Sequence, residues 1–83
     1  LVQQLVEHVA LGLGRRADAA FAVDCYRRAA RRGERSAMYN LALCLLVGEG
    51  TRRDRRAARR WLEKAAAQGH RSAQARLKKE GWR

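Results

Sequence analysis

No proline interrupts these 83 residues. Every backbone N–H is therefore available for hydrogen bonding, and nothing forces a helix to kink. Two cysteines, Cys25 and Cys44, are too few to staple a small fold, so cohesion has to come from apolar packing. Aromatic residues make up only 6%, short of the stacking platforms that single-strand nucleic-acid binders use. No apolar stretch approaches the roughly 20 residues needed to cross a bilayer. The segment 1–13 is broken by Gln3, Gln4, Glu7 and His8, so it reads neither as a secretion signal nor as an anchor, and no membrane insertion is expected. Acids are scarce as well: 8 Asp and Glu stand against 19 Lys and Arg, a net charge of +11. Such a surplus suits nucleic acid or an anionic surface. GC-rich coding, which favours Arg and Ala over Lys, produces the same balance.

What is abundant is alanine, arginine and leucine, all good helix formers. The chain also matches itself when shifted by 36 positions. Leu5, Leu41 and Leu77 share one register, Gly12 and Gly14 fall on Gly48 and Gly50, and Asp18 falls on Asp54. Ala29, Ala30 and Gly33 fall on Ala65, Ala66 and Gly69, and Arg35-Ser36-Ala37 falls on Arg71-Ser72-Ala73. A period of this length indicates a solenoid, whose units each bury one face against the next. The boundaries read as a first repeat over 1–33, a second over 36–69, and the first helix of a third over 72–83. Arrays usually need about three units for stability, so neighbouring repeats in a longer parent chain are expected.

Within each unit the pattern is helix, Gly-rich loop, helix, tight turn. Leu1, Leu5 and Val9 give 1–11 helical spacing, and a second unit begins the same way over 36–47. Asp18 and Asp54 are the expected N-caps of the second helices, their carboxylates accepting orphan backbone N–H groups. Those helices carry Ala22, Cys25, Tyr26, Ala29 and Ala30, or Ala57, Ala58, Trp61, Leu62, Ala65 and Ala66, on one face. Gly33 and Gly69 close the units.

The stretch Ala37-Met38-Tyr39-Asn40-Leu41-Ala42-Leu43, then Gly48-Glu49-Gly50, Asp54, Ala57, Trp61-Leu62-Glu63-Lys64-Ala65-Ala66 and Gly69, resembles a Sel-one-like repeat, a variant of tetratricopeptide helical hairpins. Residues 5–33 match less fully, with Cys25 in place of a bulky aromatic. The resemblance implies an all-α, right-handed superhelical solenoid of antiparallel helix hairpins. It also implies adaptor or scaffold work on protein or peptide partners, including ubiquitin-ligase and protein-quality-control assemblies. Met38-Tyr39-Asn40-Leu41 with Gly69-His70-Arg71-Ser72-Ala73-Gln74 is similar to the plant F-box version.

Signs of chemistry are missing. There is no Gly-x-Ser-x-Gly elbow, no His-Glu-x-x-His, and no phosphate loop with Gly-Lys-Ser/Thr. Gly48-Glu49-Gly50 follows a helix instead of a strand, which makes it a helix-stopping turn. His8, His70, Cys25 and Cys44 have no zinc-site spacing. No cofactor, metal or catalytic residue is expected. A fold-back about Glu34 brings Cys25 and Cys44 near one another, so either a disulfide or two small core thiols fits.

Partner contacts should sit where the register changes character. Along the first helices Gln3, Tyr39 and Ala75 form one row, and Glu7, Leu43 and Lys79 another. Tyr39 and Leu43 are apolar where the first unit is polar, which suits either a hot spot for a peptide or inter-repeat packing. On the second helices Arg55, Arg56, Arg59 and Arg60 form a basic face. It is open to an acidic protein or to RNA, and equally reads as a solvated surface.

Overall fold

The computed structural model describes residues 15–82, and within them the chain is helical with no strand. The order is α1 (Arg15–Arg31), α2 (Arg35–Val47), α3 (Arg55–Ala67) and α4 (Arg71–Lys79). The expected helix over 1–11, the Gly12/Gly14 turn, Gln3 and Glu7 lie outside the described residues. Each helix packs on its neighbours in the chain, α1 on α2, α2 on α3 and α3 on α4.

The sequence pattern dictates how many sides each helix buries. α3 buries the single stripe Ala58, Leu62 and Ala65 and turns its arginines outward. α2 buries Ala37, Met38, Leu41, Ala42, Leu45 and Leu46, more than one face, because α1 and α3 cover it from both sides. α1 supplies Ala19, Ala22, Val23, Tyr26 and Ala30 at helical spacing, and α4 supplies Ala73 and Leu77. The stripes set alanines beside large residues, which lets the helix axes approach to the short end of the usual separation of about 8–10 Å.

One C-terminal motif recurs at all four helix ends. An N–H two or three residues beyond each helix bonds the carbonyl five residues back: Glu34 to Ala29, Glu49 to Cys44, His70 to Ala65 and Trp82 to Leu77. The residue before it is a glycine with positive φ each time, a geometry that costs any residue with a Cβ. At the N-terminal side of α3, Asp54 accepts from the Ala57 N–H at 3.0 Å, as its place in the repeat predicts. Its own N–H donates to the Leu45 carbonyl at 2.9 Å, which pins the 48–54 loop to the end of α2.

Asp18 does not repeat that role. α1 begins at Arg15, so Asp18 falls in the first helical turn and not at the cap. Arg15, Arg16 and Ala17 all favour helix and extend it past the expected start. The carboxylate is still well placed there, near the positive end of the helix dipole.

Gly50 joins the units. A Cβ at this position would collide with the Ala19 carbonyl and come within 2.9 Å of Val23 Cγ2, so the loop after α2 rests directly on the backbone of α1. A Cβ on Gly33, by contrast, meets nothing within 4 Å. Both glycines have positive φ, so the two substitutions separate conformational strain from close packing. Gly33→Ala should cost about 1 kcal/mol from strain alone, and Gly50→Ala about 3 kcal/mol or more. Urea unfolding of the two variants checks this, and equal losses would show that Gly50 serves only the turn.

Candidate functional site

The loop between α3 and α4 fixes the face on which α2 and α4 meet. His70 is the N-cap of α4, and its imidazole Nδ1 accepts from the Ala73 N–H at 3.1 Å. Glu34, its counterpart 36 positions earlier, makes no such side-chain cap. The imidazole stacks on the ring of Tyr39, with centroids 4.7 Å apart and planes inclined by 26°. Two further contacts tie α2 to the same corner. Arg35 Nη1 donates to the Gln68 carbonyl at 2.7 Å, and Gln68 Nε2 lies 3.8 Å from Met38 Sδ.

Tyr39 is thus half-buried and held from the side, with part of its ring left to line a groove. That groove, about 290 Å³, is lined by Tyr39, Ser72, Ala75, Arg76 and Lys79. Of the two rows named from the sequence, it gathers Tyr39, Ala75 and Lys79. Leu43 is half-buried and packs against the core outside the groove lining. Gln3 and Glu7 lie outside the described residues. Arg76 is already paired with Glu80 at 3.4 Å, whereas Lys79 is exposed. The groove is therefore a shallow aromatic-walled channel with a cationic rim.

The four arginines of α3 divide into two pairs. Arg55 bonds Glu80 at 3.5 Å and lies over the Trp82 indole, 5.0 Å from its centroid. Arg59 reaches the same ring at 6.0 Å and pairs with Glu63 at 3.4 Å, the i,i+4 spacing read from sequence. Arg56 and Arg60 are exposed and make no ion pair with a described residue. Trp82 had no place among the residues singled out from the sequence. Its signal was available, since it stands 36 positions after Leu46, a core residue.

Nucleophilic groups are muted. Both cysteines are free and half-buried. Burial first, and Glu49 second, push the Cys44 thiol up to about 11. The phenol of Tyr26 is raised by burial and then by Cys44, Cys25 and Glu49, so both thiols act on one buried ring. Among the described residues no group of three His, Cys, Asp or Glu side chains is placed to hold a metal ion. No helix there is long and apolar enough to span a membrane.

The Cys44 shift has a sign that can be measured. The folded thiol keeps its proton to about 11, while an unshifted thiol releases it near 9.0. Stability should accordingly fall as pH rises through that window, because the unfolded state gains by ionising first. At pH 8 alkylation of Cys44 should be about 10- to 100-fold slower in the folded protein than in urea. Equal rates, followed by peptide mapping, would show that Cys44 is not shielded.

Comparison with known proteins agrees with this architecture. The Sel1 repeat family matches residues 9–34 and 35–70, the second match running from the start of α2 to the cap of α4. No curated protein and no solved structure matches the chain. Sel1 repeats are tetratricopeptide-like helical solenoids that generally mediate protein–protein interaction. A 36-residue register, the paired loop glycines, the Asp54 cap and sequential helix packing, together with these matches, establish that the chain belongs to the Sel1 repeat family.

Proposed function

We propose that this chain is a non-catalytic adaptor or scaffold module that holds an extended, acidic peptide segment of a partner protein in the α2/α4 groove. The observation that carries the reading is the convergence of Tyr39, Ala75 and Lys79 on one channel. Tyr39 brings a large apolar face whose orientation is already fixed by His70, so little side-chain entropy remains to be lost on binding. Ala75 keeps the floor low. Lys79 offers a charge that no described carboxylate satisfies, which selects for acidic residues and speeds encounter. The same division of labour, aromatic anchor plus charged rim, concentrates binding energy in few residues.

A second reading rests on Arg56 and Arg60, with Arg52 and Arg53 just before the helix, all exposed. This surface would take RNA or another polyanion through phosphate contacts. The two readings differ in salt dependence. Binding carried by six or more phosphate contacts should weaken by about 10³-fold or more between 50 and 200 mM salt.

Peptides selected on the chain from a random display library test the first reading. They should be enriched in Asp and Glu, and their affinity should fall at least about tenfold with Tyr39→Ala or Lys79→Glu while Tyr39→Phe retains most of it. Selected peptides that bind all three variants equally, or that lose affinity only with Arg56→Ala and Arg60→Ala, would place the interface elsewhere.

A further inference from the structure

Three polar side chains line the groove beside Tyr39, and all come from α4: Ser72, Arg76 and Lys79. A step of four residues and then of three sets them in one row on that helix. Both walls of the groove, α2 and α4, are described helices. The row is peculiar to this unit. Shifted back by 36, its members are Ser36, Asn40 and Leu43, so the hydroxyl recurs and the two charges do not.

Each of the three keeps hydrogen-bonding capacity in reserve. Ser72 and Lys79 are exposed, and neither side chain bonds another described residue. Arg76 gives one nitrogen, Nη1, to Glu80 Oε2 at 3.4 Å, which leaves most of its donors unused. The other oxygen of Glu80 meets Arg55 Nη2 at 3.5 Å. With Arg55 set against Glu80, the charges of Arg76 and Lys79 both stand in surplus. Glu80 thus holds the Arg76 guanidinium in place without cancelling it.

Two surplus positive charges and a hydroxyl match a phosphate monoester better than a carboxylate. The monoester carries a charge of about −1.5 to −2 at pH 7 and presents three strong acceptor oxygens. A carboxylate brings a single charge and two oxygens. The guanidinium fork fits phosphate geometry, and the ammonium adds a point charge. Long side chains on a helix lean toward its N-terminus, which brings Lys79 back toward Arg76 and Ser72. The shallow floor at Ala75 suits a short side chain over a long one. Given the peptide-binding role proposed for this groove, on which the inference rests, we infer that it selects a phosphoserine in the partner segment. Ser72, Arg76 and Lys79 receive the phosphate, and the residues beside it rest on Tyr39.

Three fluorescent peptide pools are the probes, each with mixed residues around one fixed position: phosphoserine, Glu or Ser. In anisotropy titrations with the chain, the phosphoserine pool should bind about tenfold tighter than the Glu pool, and the Ser pool weakest. Ser72→Ala, Arg76→Lys and Lys79→Gln should each cut the phosphoserine advantage to about threefold or less. Ser72 and Lys79 are exposed, so those two changes spare the core. Arg56→Ala with Arg60→Ala should leave the advantage whole. Equal binding of the phosphoserine and Glu pools, both weakened by Tyr39→Ala, would overturn the phosphoserine assignment and leave the peptide groove standing. A phosphoserine preference indifferent to Tyr39→Ala and lost with Arg56→Ala and Arg60→Ala would overturn both, and would move the phosphate to the α3 surface. No binding of any pool would also overturn both. Displacement of the phosphoserine pool by an equal concentration of inorganic phosphate would reduce the row to a plain anion site and contradict the inference.

Discussion

The two-sided burial of α2 is the constraint on which the rest of the structure depends. α1 covers one flank and α3 the other, and Leu41 and Leu62 are the largest side chains buried completely. A helix covered on two sides has to be apolar nearly all round, and α2 is. α3 also has two neighbours, α2 and α4, but buries only the stripe Ala58, Leu62 and Ala65 against them, so the rest of its surface is free to carry four arginines. The alternation of an apolar helix with an amphipathic one is thus a consequence of solenoid stacking. It also accounts for the basic surface without any ligand: the charge lies where packing leaves the sequence free.

Turns convert that packing into a fixed geometry. Glycines with positive φ end each helix, and the Asp54 cap restarts the chain in α3. The Gly50 contact with α1 does more, because it couples one unit to the helix before it. Where the register repeats, residues serve this frame. Where it breaks, at Tyr39, Lys78, Lys79 and Trp82, side chains line open surface. The proposed interaction surface thus consists of departures set on a repeating scaffold, which suits a family that generally mediates protein–protein interaction.

Much of this is legible in sequence, for stated physical reasons. Helix starts at 36 and 72 are expected, and Arg35 and Arg71 are found, because the preceding glycines leave little room for error. Asp54 reads correctly since a short polar side chain before a helical stripe has one common use. Asp18 occupies the same register yet misleads. Three strong helix formers precede it, whereas Thr51, Arg52 and Arg53 are held out of the helix by the pinned loop. That difference is tertiary. The His70 cap and its stack on Tyr39 are also tertiary, joining residues 31 positions apart with the whole of α3 between them. Trp82 escapes notice because its role depends on where two arginines of another helix point.

The claim that two-sided coverage holds the fold together is tested most directly by comparing Leu41→Ala with Leu77→Ala. The two leucines share one register, but Leu41 is 0% exposed inside α2 while Leu77 is 7% exposed and lines an opening on α4. Urea denaturation should give a loss of about 3–4 kcal/mol for Leu41→Ala, the middle of the range for buried leucines. Leu77→Ala should cost about 2 kcal/mol or less, because water can enter the space it leaves. Equal losses at the two positions, or a larger one at Leu77, would contradict the account and place the centre of stability in α4.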